Sequence, residues 1–375
     1  MEPSMDFLKF LDPDTSLMIL NRLDVPADLV RVSAVSHDWK DYVIEHELGK
    51  QLCLKKFPQV SSFPKVALVS GTEMPGDVGS SCSTEWGSKK RGHLVYTSLA
   101  HVLDSAKKWS CIAEAICASS TDNHPEESID NTLIQSDRIE QRASYWSSEG
   151  QSDPDVPESL IYKLKSSLCL VNEVYIQPFQ AYFQLGYPIY SSRSVRFRMG
   201  HPKYPLNLDL EYARLDELTD EDFVWNYTSP EFPMLQERSL QKFQLPEPVL
   251  CIGGYLKIEL LGRVQRQDSD GMYYICVSHV RADGMSLSPK FTVKILRTLQ
   301  NWGKFGLEYN PHAVIIPPND TCTSIIEFRD EEAPAHQNWG QFMNMLQAYN
   351  PGEDEDENMD GNEHEEVEFE YINED

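Results

Sequence analysis

Apolar residues near the start of the chain recur every three to four positions, the period of a buried helix face. Leu17, Leu20 and Leu23 form one group, Leu29 and Val32 a second, and Trp39, Val43, Ile44, Leu48 and Leu52 a third. Asp12 is placed to cap the first group, with Pro13 in its first turn. Pro26 opens the second, and Ser36 caps the third, with Asp38 near its positive end. Residues 1–57 are therefore expected to hold three short helices. Residues 58–92 are rich in Ser, Gly and Pro and read as a flexible linker. Leu99, Val102, Leu103 and Ala106 restore helical spacing, which predicts a connecting helix over 93–109.

From 110 to 330 the period changes to two. The runs "VNEVYIQPF", "SVRFRMG", "GGYLKIELLGRVQ" and "MYYICVSHV" are strand-like and separated by turn-forming stretches. Leu256, Ile258 and Leu260 fall on one face of a strand, and Tyr255, Lys257 and Glu259 on the other. The stretch "RQDSDGMYYICV" predicts a loop closing a hairpin. No helical pattern alternates with these strands, which favours an antiparallel β-sandwich over a parallel α/β sheet. Residues 331–350 read as a C-terminal extension. Residues 351–375 read as a disordered tail that cannot build a core.

Charge sharpens this division. The chain has 375 residues and a net charge of −26, and the 13 acidic residues from Glu353 onward, with no Lys or Arg among them, account for half of it. The tail is expected to keep the chain soluble, or alternatively to attract basic partners. A chain this acidic argues against non-specific binding to nucleic acid or an anionic membrane. The eight cysteines, at 53, 82, 111, 117, 169, 251, 276 and 322, include no CxxC pair. They suit a reducing compartment, cytoplasm or nucleus, as small core residues rather than a disulfide or zinc framework. The N-terminus carries no basic-then-apolar leader pattern, and the sequons at Asn226 and Asn319 read as chance matches.

The opening helices are too short to bury all their apolar surface against one another. That surplus meets either another protein or the rest of this chain. The order of residues favours the first. Leu11 and Pro13, then Ile19, Leu20 and Leu23, then Asp28 and Leu29, then Val35 and Trp39 follow the pattern of the F-box, and the segment resembles that family. The inserted Asp12 departs from the usual adjacent leucine–proline, and His37 and Asp38 stand where many members carry Lys or Arg. The resemblance implies docking on a Skp-family adaptor, and through it a cullin–RING ubiquitin ligase, by Leu11, Pro13, Ile19, Leu20, Leu23, Leu29, Val32, Val35 and Trp39.

The larger region also has a recognisable order. Ala118-Ser119-Ser120, Trp146-Ser147-Ser148, the run Leu160 to Leu164 and then "EVYIQPF" resemble the galactose-binding-like jelly roll of discoidin-type domains, with "GGYLKIELLG" as its returning strand. Together the two parts resemble a plant F-box subfamily with this C-terminal domain. The resemblance implies ligand-meeting loops at one end of the sandwich, with Asp122, Asn123, Tyr145, Trp146, Ser147, Ser148 and Glu149 as candidates. Trp146 reads either as an aromatic platform or, in the favoured reading, as a buried corner. The turn at Asp122 and Asn123 reads as a hydrogen-bonded turn before a calcium or ligand loop. Arg193, Arg196 and Arg198 read as a solvated sheet face before a binding patch.

No G-x-S-x-G, H-E-x-x-H, P-loop or G-x-G-x-x-G motif is present. The expectation is a multidomain α+β chain: a three-helix F-box, a connecting helix, an antiparallel jelly-roll sandwich and a disordered acidic tail. Its expected role is the non-catalytic substrate receptor of a ubiquitin ligase, with no cofactor and no metal, and a protein target that the sequence does not name. The rival readings are an intracellular lectin and, behind it, an enzyme on a jelly-roll scaffold.

Overall fold

The computed structural model describes residues 6, 8, 10–69, 81–104, 108–139, 142–204, 218–296 and 304–315. All of these fall within one compact unit, Met1–Ile326. The expected extension at 331–350, the tail at 351–375, Cys322 and Asn319 lie outside the described residues.

The helices start where the capping residues predict. In α1 (Pro13–Leu20), the Asp12 carboxylate accepts from the Thr15 backbone N–H at 2.9 Å and from its hydroxyl at 2.6 Å. Pro26 opens α2 (Pro26–Ser33). The Ser36 hydroxyl accepts from the Trp39 N–H at the start of α3 (His37–Glu45). The expected third helix does not continue to Phe57. Glu47 sits at φ 49°, in the left-handed region, and a fourth helix, α4 (Leu48–Lys56), starts afresh behind it. The apolar stripe from Trp39 to Leu52 runs across this break, and the glycine near it, Gly49, lies two residues past Glu47 inside α4.

Of the linker expected over 58–92, residues 58–69 and 81–92 are described, and residues 70–80 lie outside the described residues. A short 3-10 helix, Pro58–Ser62, leads into β1 (Lys65–Leu68), and α5 already begins at Ser81 and ends at Asp104 rather than spanning 93–109. Its early turns carry a Lys89–Glu85 pair at 3.7 Å and Lys90 lying 5.8 Å over the Trp86 ring. Such contacts at helical spacing support a segment whose composition alone suggests a loop. Past the helix, Trp109–Ser110 is already strand.

From His93 to Leu103, α5 is buried on nearly all sides, with Val95, Thr97, Ser98 and Leu99 at zero exposure. A helix buried on nearly all sides is a central element rather than a surface one. It packs against α2, α3 and α4 on one side and β1 on the other. Gly49 allows the closest approach, since a Cβ there would lie 2.6 Å from Thr97 Oγ1.

The sandwich is built from β2 (Ile112–Ala118), β3 (Glu158–Leu164), β4 (Leu168–Gln180), β5 (Ser192–Pro202), β6 (Phe223–Thr228), β7 (Gln241–Ile252), β8 (Tyr255–Arg263) and β9 (Cys276–Ser286). One sheet runs β6-β5-β8-β3-β2, and the other runs β7-β4-β9 and on to Trp109–Ser110. Every pairing within them is antiparallel. Period-two alternation on β8 sends Leu256, Ile258 and Leu260 into the core between the sheets, facing Val171, Val174 and Ile176 of β4 across it. The hairpin expected around "RQDSDGMYYICV" is only local. Arg266 and Tyr273 bridge, but β8 and β9 belong to opposite sheets, so the loop crosses the sandwich edge.

A third sheet joins the two parts. β1 runs parallel to β11 (Lys304–Tyr309), with Lys65 opposite Gly306 and Leu68 opposite Tyr309, and β11 pairs with β10 (Phe291–Leu296). The Val293 N–H donates to Ser167 Oγ, and Phe305 meets the His201 ring edge-to-face at 4.6 Å, which ties this sheet to the end of the sandwich. A strand preceding α5 is thus fixed to strands that follow the sandwich.

Candidate functional site

The nine residues expected to meet an adaptor divide by burial. Leu20, Leu29 and Trp39 are buried within the helical part itself. Trp39 Nε1 donates to Asp6 Oδ1 at 2.8 Å. Leu23 and Val32 are half-buried, and Leu11, Pro13, Ile19 and Val35 are exposed. Leu20, Leu23 and Leu29 line a cleft of about 210 Å³ with Leu48 and Leu52, so their neighbours are helices and not the sandwich. Phe10, Met18 and Val25 are also exposed, and the motif comparison did not include them. Met18 and Ile19 stand out from α1 next to Leu11 and Phe10. An exposed apolar run on a short helix is an interaction signature.

The expected ligand loops converge at one end of the sandwich, but mainly to hold it shut. Trp146 is completely buried, and its indole N–H donates to the Ser120 carbonyl at 3.1 Å. Its ring is a buried corner, with no exposed face to serve as a platform. Ser147 and Ser148 are buried as well.

At the centre lies Arg263, at zero side-chain exposure, paired with the buried Glu158. Its guanidinium also donates to Ser148 Oγ at 2.9 Å and to the carbonyls of Glu149, Val156 and Tyr273. Glu158 accepts from Ser119 Oγ, and from Ser120 Oγ at 2.8 Å. A buried ion pair persists when its remaining lone pairs and N–H groups are satisfied, as they are here. The motif residues Ser119, Ser120 and Ser148 thus brace a charge pair that the sequence reading missed. A signal was present: a lone arginine closes the apolar run of β8.

Three candidates keep a surface role. Asp122 and Asn123 sit in an exposed turn in which Asn123 Nδ2 donates to Asp122 at 3.4 Å, and Glu149 is exposed. Partial burial, with Asp270 and Glu149 as negative neighbours, raises the Asp122 carboxyl above the usual range. Tyr145 is buried, stacked on Phe179 at 3.9 Å, and its hydroxyl donates to Glu127 at 2.5 Å.

The arginines expected on a sheet face are there, in an ion-pair network. Arg196 and Arg198 both meet Glu259, at 2.6 and 3.2 Å, and Lys257 bridges Glu259 and Asp220. Arg193 reaches Asp155 at 3.4 Å in solvent. His201 and His279 each contact a backbone carbonyl at 2.9 Å, and burial lowers the pKa of both. Among the described residues no three His, Cys, Asp or Glu side chains are grouped to hold a metal ion, and no helix is long and apolar enough to cross a membrane.

Among the described residues, buried braces hold one end of the sandwich, and apolar side chains of the first helices stand in solvent. Sequence comparison supplies the class. The chain is 51% identical over 311 residues to the F-box protein At4g00755 of Arabidopsis thaliana, covering 81% of this chain and 82% of that one. It belongs to the F-box protein family. No family model matches the chain.

Solved structures resemble about half of it at low identity. They include the CBM32-3 module of a family 31 glycoside hydrolase from Clostridium perfringens, with 15% identity, 46% of this chain, 90% of that one and TM-score 0.31. The family 32 carbohydrate-binding module of Streptococcus pneumoniae EndoD gives 9%, 46%, 98% and 0.31. The fucolectin of striped bass, Morone saxatilis, gives 13%, 50%, 52% and 0.31. Nothing about ligand or activity follows from likenesses this distant.

Proposed function

We propose that this chain is the substrate-receptor subunit of a Skp–cullin–F-box ubiquitin ligase, acting in the cytoplasm or nucleus. The helical part docks on a Skp-family adaptor, and the sandwich holds a protein target. The reading rests on membership of the F-box family, and on Leu11, Met18 and Ile19 standing exposed where the family docks. Such a receptor needs no active site of its own. It works by raising the local concentration of a target lysine near the ubiquitin-charged enzyme. That role benefits from a fixed distance between the two ends, which α5 and the β1–β11 pairing supply.

The test is capture of a Skp-family adaptor by the full chain and by Met18→Asp and Ile19→Asp. Leu20→Asp and Trp39→Ala are poor probes, because both residues are core and their loss unfolds the helices. Capture by the unaltered chain that disappears in both variants, with melting unchanged, supports docking through this face. Full capture by both variants, or none by the unaltered chain, overturns it.

A further inference from the structure

The loop between β4 and the short strand at Ile189–Tyr190 is built as a firm hairpin with an apolar tip. The Ala181 N–H donates to the Pro188 carbonyl at 2.9 Å, Gln184 N–H to Ala181 at 3.0 Å, and Tyr187 N–H to Gln184 at 3.1 Å. The Tyr190 hydroxyl donates to Gln184 Oε1 at 2.6 Å. Gly186 and Tyr187 both take left-handed backbone, at φ 82° and 50°. A non-glycine residue held there marks a turn kept in shape by its surroundings.

This rigid turn presents apolar groups to water. Leu185 is 102% exposed, Tyr187 61% and Phe183 57%. Phe183 is anchored by ring contacts to Phe179 at 6.2 Å and Tyr182 at 5.5 Å, and Arg138 lies 3.9 Å over the Tyr182 ring. A preorganised apolar ridge loses little entropy on binding.

The same aromatic floor carries acids. Tyr145, stacked on Phe179, donates to Glu127, and Tyr274, edge-on to Tyr190 at 6.2 Å, donates to Asp270 at 2.6 Å. Asp122 lies within electrostatic reach of Asp270 and of Glu149. Arg266 faces Asp270, but among the described residues no Lys or Arg pairs with Asp122, Glu127 or Glu149. A cation arriving from outside relieves the repulsion that Asp122 meets from Asp270 and Glu149.

We propose that the ridge Phe183–Leu185–Tyr187, with the acidic rim of Asp122, Glu127 and Glu149, is the surface that grips the target, and that it takes a basic segment carrying an exposed apolar side chain. This deepens the receptor reading and rests on it. The ridge supplies apolar contact area, and the rim supplies charge complementarity, which favours fast encounter and the rejection of acidic partners.

The test uses the full chain on a synthetic peptide array graded from acidic to basic, each peptide with or without a central leucine or phenylalanine. Basic peptides with the apolar residue are expected to be retained. Leu185→Asp and Phe183→Ser each lower retention about tenfold or more. Asp122→Asn combined with Glu149→Gln weakens it and flattens its salt dependence. All variants keep the parent melting curve. Retention of no peptide, equal retention of acidic peptides, indifference to Leu185→Asp, or capture on anionic vesicles in place of peptides overturns the proposal. Adaptor capture by these variants stays full. A failed ridge is therefore distinguishable from a failed ligase reading, which shows as absent adaptor capture by the unaltered chain.

Discussion

The helical part and the sandwich begin from similar material and handle it differently. In the sandwich, Leu160, Tyr162, Phe197, Leu256 and Ile258 find partners between the two sheets and reach zero exposure. In the helical part, Leu29, Val43 and Leu99 do the same, but Met18, Ile19, Val35 and Leu11 remain in water. Periodicity therefore identifies which residues seek cover, and the supply of neighbouring elements decides which ones find it. Helices of eight or nine residues, leaning on one longer helix, have too few neighbours to cover every face.

The largest effects that sharpen this contrast belong to the sandwich. Arg263→Ala leaves Glu158 as an uncompensated buried charge and is expected to cost about 3–5 kcal/mol, read by urea unfolding. Trp146→Ala opens a cavity at the same corner and costs about 3–5 kcal/mol. It acts on stability, and a change confined to ligand binding with normal stability would contradict the corner assignment. Next comes the helical part. Gly49→Val drives a side chain into Thr97 and is expected to cost about 1–3 kcal/mol. Hydrogen exchange then loses protection in α4 and α5 before β4 and β8.

Acid separates the two parts by pH. Burial, with the Lys40 charge adding to it, lowers His93 to about 4 from its usual 6.5. The unfolded chain then binds more protons than the fold across that window. His93 therefore favours the fold above pH 6.5, and its contribution is lost as pH falls toward 4. Glu173 is the opposite kind of group. Burial resists its charge, but bonds from Lys108, Tyr175 and Lys242 prevail and bring it to about 2. Its contribution holds above 4.5 and fades as pH drops toward 2. Between pH 6.5 and 4.5 the helical part is expected to weaken while the Glu173 anchor holds. Melting curves of His93→Leu and Glu173→Gln over that range check the assignment. The smallest effect on stability is that of Ile19→Asp, within about 0.5 kcal/mol, because the residue is already solvated.

Local chemistry was legible in the sequence. Asp12, Pro13, Pro26 and Ser36 open their helices, and Leu256 to Leu260 alternate as the spacing predicts. Arrangements that depend on distant partners were not. Lys65–Leu68 is four unremarkable residues until Gly306 and Leu307 lie beside them. Arg263 reads as the end of a strand until Glu158 arrives from another. Glu47 breaks a helix with no breaker residue, because α4 must turn to bring Gly49 against Thr97. The ridge at Leu185 reads in the sequence only as a turn-forming stretch, since its meaning lies in being exposed and held in shape together.

The parallel pairing of Lys65–Leu68 with Lys304–Tyr309 also sets an order of events during synthesis. The early strand leaves the ribosome long before its mate exists, and until then this pairing cannot form. A copy whose translation stops before residue 304 never closes that clasp, so its helical part lacks this tie to the sandwich.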